Sequence, residues 1–290
     1  MKNIVDKPAV KSIIRYEINQ FLVNYRMLTG RLRIGPDFII IGAQRCGTTS
    51  LYNTLKKYLY IAPALKKEIH FFDMNFKQGM DWYRAHFPSY VYKYTKKMRR
   101  HDFITGEASP YYFFHPHVPK RSAELLPKVK LIALVRNPID RAYSHYHHEV
   151  RLGYETLSFE EAIAREDERL LAETAKMQKD EDYSSFNHRH YSYLSRGVYI
   201  DQLMNWMRFF PREQILILPS EDLYSEPQAT MGHVLEFLGL PSYRIENVGK
   251  YNYHPYSKMD ATVQKRLVAY FEPHNRALYD YLGVDFGWDR

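Results

Sequence analysis

Residues 37–55 read Asp-Phe-Ile-Ile-Ile-Gly-Ala-Gln-Arg-Cys-Gly-Thr-Thr-Ser-Leu-Tyr-Asn-Thr-Leu, and the rest of the chain is organised around them. Phe38–Ile41 is an unbroken run of β-branched and aromatic residues, the pattern of a strand buried on both faces. Gly42 to Ser50 forms the turn. From Thr49 onward, Leu51 and Leu55 recur at helical spacing behind hydroxyl residues, so a helix opens where the loop ends. A strand, a Gly-bounded loop and a helix start aim several backbone N–H groups and the positive end of a helix dipole at one point. The natural occupant is a phosphate.

Gly42-x4-Gly47 is the frame of a Walker A loop, in which Lys and then Ser or Thr follow the second glycine. Thr48 stands where that lysine belongs, and the cation is Arg45, inside the loop. This argues against ATP or GTP with magnesium. It suits a nucleotide whose reacting group is held by a loop cation and hydroxyls, with no metal. The plainer reading of the motif alone is a glycine-rich turn in an ordinary α/β protein.

At 290 residues the chain is long enough for one large α/β domain or two small ones. Apolar residues at 45% and charged residues at 26% are ordinary for a soluble globular protein. The 26 tyrosines would line a polar cleft well, or simply fill core and surface. A formal charge of +8 implies attraction to anions without choosing among nucleotides, sulfated acceptors and nucleic acid. Cys46 is the only cysteine, so no intrachain disulfide forms, and without a Cys-His signature it reads as a small residue filling a tight turn. No apolar run reaches ~18 residues and the start lacks a signal-peptide pattern, so the expectation is a cytoplasmic protein with no stable membrane insertion.

Val10, Ile14, Ile18, Phe21, Tyr25 and Leu28 repeat at helical spacing, with Lys11, Arg15 and Arg26 off the stripe. Residues 1–36 are therefore expected to form an amphipathic helical arm. Its stripe would dock on its own domain, with a membrane surface or a homodimer contact as alternatives. Ile61-Ala-Pro-Ala-Leu leads to Lys66-Lys67-Glu68-Ile69-His70-Phe71-Phe72-Asp73, expected to be a short strand or loop at the cleft rim. In extended chain Glu68 and His70 share a face, so one can act as a general base while Lys66 or Lys67 stabilises a developing anion. Alone, this cluster reads as a solvated charge patch.

Trp82 to Phe87 is expected to be a short helix, Lys93 to Arg100 a basic surface stretch, and Gly106 to Phe113 a polar turn opening into aromatics. Lys130–Arg136 is a second buried strand that ends on an arginine, and Ile139–Arg151 is helical with Ser144 within it. An arginine at a strand end followed by a hydroxyl-bearing helix repeats the logic of the first loop, so two phosphate sites sit at one sheet edge. Arg136 alone would equally suit a structural ion pair. Ser158–Asp182 reads as charged helix followed by the polar-aromatic stretch Tyr183–Tyr193, and this middle region is expected to be a mobile acceptor-binding segment. Arg196–Phe210 opens on Gly197 into helix, Gln214–Leu218 is a third strand, Met231–Leu238 is a helix ended by Gly239, and a helix from Asp260 to Leu282 carries Pro273. Strands alternating with helices predict a three-layer α/β domain with a central parallel sheet.

Four stretches in order resemble the PAPS-dependent sulfotransferases (PAPS is 3′-phosphoadenosine 5′-phosphosulfate), and among them the sulfotransferase domain of heparan sulfate 3-O- and N-sulfotransferases. They are the Gly42–Leu51 loop, Glu68–Asp73, Arg136-Asn-Pro-Ile-Asp-Arg-Ala-Tyr-Ser144 and Asp285-Phe-Gly-Trp-Asp289. Arg196-Gly-Val-Tyr199 with Leu203 and Trp206 is similar too. The resemblance spans residues 37–290 and implies a sulfotransferase fold with a P-loop-like phosphosulfate-binding loop. It implies that Gly42, Gln44, Arg45, Cys46, Gly47, Thr48, Thr49 and Ser50 hold the 5′-phosphosulfate, with Arg45 in the place of the family's loop lysine. It also implies that Arg136 and Ser144 grip the 3′-phosphate, that Glu68 is the catalytic base, and that Lys250 lies in a basic turn over the nucleotide. Tyr251 and Asn252 replace the glycine and arginine of that turn. Ala108 stands where the family often has a glycan-binding lysine, and the C-terminal disulfide loop is absent.

The expected reaction is in-line sulfuryl transfer from PAPS to a hydroxyl or amine of a small polar metabolite, natural product or carbohydrate. Adenosine 3′,5′-diphosphate (PAP) would leave, with no metal and no nucleic-acid partner. Catalytic roles fall to Glu68, Arg45, Lys67 and His70, with His70 as the alternative base. A P-loop kinase or nucleotide triphosphatase and a catalytically idle polyanion-binding module are the rival readings.

Overall fold

Phe38–Gly42 forms β1, and every residue in it is buried. Successive side chains of a strand point to opposite faces, so full burial means that both faces of β1 are covered. Lys130–Val135 (β4) repeats the pattern, buried throughout after its first residue. The computed structural model describes residues 18–98, 102–244, 248–249, 251 and 255–288. Among these residues β2 (Ile61–Pro63), β3 (Ile104–Ala108) and β5 (Ile215–Pro219) complete a sheet in the order β2-β3-β1-β4-β5. All four pairings are parallel. Helices supply the crossovers that such a sheet requires and cover its faces, giving the three-layer α/β architecture.

β1 is the central strand. The chain adds β2 and β3 on one side of it and β4 and β5 on the other. Where the order reverses, connections leave neighbouring strands in opposite directions and open a crevice beyond their carboxyl ends. At that edge β1 slips in register between Ile40 and Gly42, and Ala43 N–H reaches the Leu134 carbonyl at 2.7 Å. Only glycine fits at 42, because a Cβ there would stand 2.4 Å from that of Phe113.

Several expectations need correction. Gly106 to Ala108 is not a turn but the end of β3, which pairs with β1 through Phe38↔Gly106. A glycine and a glutamate in a central strand hid it. Lys66–Asp73 is not extended: His70 adopts a left-handed backbone (φ 56°) and Phe71–Met74 is a turn of helix. The basic stretch after Tyr90 is helical over Tyr90–Met98, and the short helix expected at Trp82 lies at Gly79–Arg84. The helix after the first loop starts at Thr48, one residue early. The charged region 158–182 divides into Phe159–Ala164 and Glu166–Lys179, and an ordered helix, Phe186–His190, follows. This region is well anchored: buried Glu166 takes the Leu194 and Ser195 N–H groups, and Tyr111 OH lies 2.7 Å from His188 Nδ1.

Residues 18–27 are helical, and the rest of the expected arm helix lies outside the described residues. Its stripe faces outward, with Ile18 54%, Phe21 73% and Leu28 84% exposed, while Val23 is buried. Arg26 of this helix and Arg33 beyond it both donate to the Phe87 carbonyl, at 2.6 and 3.1 Å. No helix among the described residues is long and apolar enough to cross a membrane.

Candidate active site

The loop between β1 and the helix Thr48–Leu55 is a cradle of main chain. Gly47 caps the helix at φ 88°, a conformation that glycine alone adopts without strain, and Arg45 before it is left-handed at φ 70°. The first helical bond runs from Leu51 N–H to the Gly47 carbonyl, so the amides of Thr48 to Ser50 belong to the first turn of the helix. Together with the dipole they make a site for an anion. Gln44 supplies a buried Oε1 with no partner among the described residues.

Not every residue of the loop faces this space. Cys46 points into the core, its Sγ 3.7 Å from Tyr199 OH, and burial pushes its thiol up to about 11. Ser50 is also buried, where Tyr224 OH and the Tyr251 N–H donate to its Oγ at 3.0 and 3.2 Å. It therefore ties two cavity-lining tyrosines to the loop. Lys250 lies outside the described residues.

The second cradle grows from β4. Asn137 caps the helix Pro138–Leu152 by accepting Ile139 N–H at 3.0 Å, so the strand gives way to helix directly after Arg136. The Arg136 carbonyl accepts from Tyr199 OH at 2.8 Å, which fixes the residue, and its guanidinium is 3.9 Å from Asp140. Ser144, in the second turn of the helix, accepts from Arg45 Nε at 3.1 Å. Arg136 Nη1 reaches the Arg45 carbonyl at 3.5 Å. The two arginines thus meet in one space rather than in two. Arg45 leans toward the Ser144 side, and it is Lys67 that stands against the hydroxyl of Thr49, at 2.9 Å.

The third component is the loop 66–73. Lys67 Nζ lies 2.5 Å from Glu68 Oε1 while it contacts Thr49, so one ammonium bridges the anion cradle and the carboxylate. His70 Nε2 is 3.4 Å from Glu68 Oε2, and its Nδ1 is 2.8 Å from buried Asp73. The left-handed turn at His70, not extended geometry, brings the pair together. Burial works to raise the Glu68 carboxyl, but His70 and Lys67 outweigh it and hold Glu68 down to about 2. Burial likewise opposes charge on His70, and Asp73 and Glu68 overcome it, raising the imidazole to about 9. At neutral pH the trio is an anion flanked by two cations.

A single cavity of about 530 Å³ takes in Gln44, Arg45, Gly47, Thr48, Thr49, Glu68, Arg136 and Ser144. His148, Tyr224, Tyr251 and Tyr256 also line it. Tyr251 was named in the sequence only as a departure in the turn at Lys250, and the other three were not singled out; Tyr256, stacked on His147 at 4.6 Å, carries only the weak signal of a tyrosine-rich chain. Asp73 was likewise in view within the quoted stretch without a role.

The sulfotransferase domain model matches residues 35–270. The membrane-associated sulfotransferase kil1 of Dictyostelium discoideum is 28% identical across 89% of this chain and 68% of its own length. Heparan sulfate glucosamine 3-O-sulfotransferase 6 of Mus musculus is 30% identical across 90% of this chain and 75% of its own. A crystal structure of a sulfotransferase from Alicyclobacillus acidocaldarius, 29% identical, covers 89% of this chain and 100% of that one with a TM-score of 0.65.

Proposed function

Because the chain belongs to the sulfotransferase family, we propose that it moves a sulfuryl group from PAPS to a hydroxyl of a polar acceptor, with Glu68 as general base. The observation that carries this reading is the one cavity with both arginine-bearing cradles and Glu68 in its lining. A 3′-phosphate fits the Arg136 and Ser144 side. The 5′-phosphosulfate fits the Thr48–Ser50 amides with Lys67 and Arg45 as its cations. Glu68 then takes the acceptor proton, the acceptor oxygen forms a bond to sulfur, and the bond from sulfur to the 5′-phosphate oxygen breaks. The electron pair leaves on PAP.

The charge arrangement favours Glu68 over His70 for this role. An imidazole raised to about 9 already carries its proton at neutral pH and cannot take another. Glu68 is a weak base while Lys67 sits on it, and a sulfuryl oxygen in the cradle competes for that same ammonium. Donor binding thereby frees the carboxylate as it fills the site. Positioning and charge stabilisation carry the rest, as in phosphoryl transfer.

In this reading residues 37–290 form the catalytic domain and 1–36 an arm. The acceptor is a carbohydrate or a small hydroxylated metabolite; the glucosamine substrate in the relatives' names supports the first. Ala108, fully buried, offers no side chain to a sulfated glycan there and supports the second. Incubation with PAPS and a panel of glycans and hydroxylated metabolites, read by mass spectrometry, should give an acceptor heavier by one SO3 and a matching release of PAP. ATP turnover abolished by EDTA would replace this reading with a kinase, and salt-sensitive polyanion binding without PAPS affinity would replace it with a binding module.

A further inference from the structure

Glu107 has no place in the chemistry above, yet it sits in β3 opposite Ile39 of β1 and is wholly buried. A carboxylate in a strand covered on both faces is costly unless its lone pairs are fully used. Here they are. Ser109 Oγ donates to Oε2 at 2.6 Å, and Tyr112 OH and Tyr83 OH each donate to Oε1 at 3.0 Å. The Ile69 N–H points at Oε2 from 3.4 Å. Four donors converge on a group that, ionised, offers about four acceptor positions.

While its O–H donates to Glu107, Ser109 Oγ accepts the His70 N–H at 3.1 Å. Tyr112 OH in the same way accepts the Phe71 N–H at 2.7 Å. Three successive amides, from Ile69 to Phe71, are thus held by Glu107 directly or through one hydroxyl. These amides belong to the turn whose left-handed residue is His70 and whose neighbour is Glu68. A hydroxyl rotor without the carboxylate would have no fixed proton direction, and the amides would lose acceptors of fixed orientation.

We propose that Glu107 is the positioning residue of the reacting loop, its carboxylate orienting Ser109 and Tyr112 so that their lone pairs fix the backbone carrying Glu68 and His70. The proposal rests on the reading of Glu68 as the base. Glutamine at 107 presents an N–H2 where two hydroxyls need an acceptor, so it reverses part of the relay while keeping the volume. Protonation of Glu107 does the same to one oxygen. Burial pushes this carboxyl up to about 7, with Ser109, Tyr112, Tyr83 and the charge on His70 pulling it back. Tyr52 and, behind His70, Asp73 are the other titratable groups facing this network. Turnover should therefore fall as pH falls through about 7.

The test uses Glu107→Gln and Tyr83→Phe in the full chain, with amide hydrogen exchange, PAP affinity and steady-state kinetics. For Glu107→Gln, exchange over residues 66–74 should quicken about 10- to 100-fold while residues 38–50 stay unchanged, as expected for loss of oriented buried acceptors. PAP affinity and KM for PAPS should hold, and kcat should drop by about 100-fold, the scale of a small misplacement of a catalytic group. Tyr83→Phe removes a donor to the anion, so the acid limb of kcat should move to higher pH. Unchanged exchange over 66–74 with unchanged kcat in Glu107→Gln overturns the proposal, as does general loosening with lost PAP affinity. If that variant fails to fold, an unmoved acid limb and unmoved exchange in Tyr83→Phe overturn it. A wild-type chain unable to transfer a sulfuryl group from PAPS would instead overturn the function, while the exchange contrast still decides whether Glu107 fixes the loop.

Discussion

The two loops of the site are built by opposite means. The loop after β1 holds its shape through main chain: a glycine at φ 88°, a close approach at Gly42, and amides of a helix start. The loop 66–73 is held through side chains from elsewhere, namely Ser109, Tyr112 and Glu107 behind it and Asp73 beneath His70. In the proposed reading the first needs little from the side chains at its outer positions to hold an anion. The second depends on a few named groups, and a single substitution there should be felt in chemistry more than in binding.

The largest test of that contrast is Glu68→Gln. It should lower kcat by about 10²- to 10⁴-fold, the usual worth of a positioned base, with PAP affinity unchanged by calorimetry. An active Glu68→Gln enzyme would move the base elsewhere. Arg136→Ala should show the converse: PAP affinity about 10- to 100-fold weaker, the scale of a charge-assisted hydrogen bond, with a smaller change in kcat at saturating PAPS. If kcat falls as far as affinity, binding and chemistry are not separable in the way the two loops suggest.

A third test is thermodynamic. The folded-state imidazole of His70 is raised to about 9, above its ordinary value of 6.5. Its ion pairing therefore stabilises the fold in full below about pH 6.5 and is lost as pH rises through about 9. His70→Asn keeps a residue that tolerates the left-handed backbone. The difference in Tm between wild type and this variant should be constant up to about pH 6 and narrow between about pH 7 and 10. The smallest effect concerns the first loop. Gly47→Ala should cost about 1 kcal/mol in denaturant unfolding, because a side chain is strained at positive φ and the added Cβ would approach Tyr224 OH at 3.1 Å.

The same contrast explains what could be read from the amino acids alone. Phe38–Gly42, the helix after it, and Lys130–Val135 with its arginine were legible because burial on both faces and glycine spacing leave local patterns. The parallel sheet followed from the alternation of elements. β3 was not legible, since Gly106 and Glu107 break the apolar run that marks a central strand, and only the tertiary partners of Glu107 make the carboxylate tolerable. Glu68 and His70 were named from their spacing, but the left-handed turn that joins them depends on Ser109 and Tyr112, about forty residues away in sequence. Tyr224 and Tyr256 reach the cavity from the far end of the chain, where no local signal marks them among 26 tyrosines, and Tyr251 was marked only by its place in the turn at Lys250.

Because the chain's single sulfhydryl is sealed inside beside Tyr199, a maleimide dye or spin label would react at whichever position an engineer chooses. A cysteine at Asp140, whose side chain is 62% exposed at the cavity edge, could report nucleotide arrival by fluorescence with no native residue first stripped away.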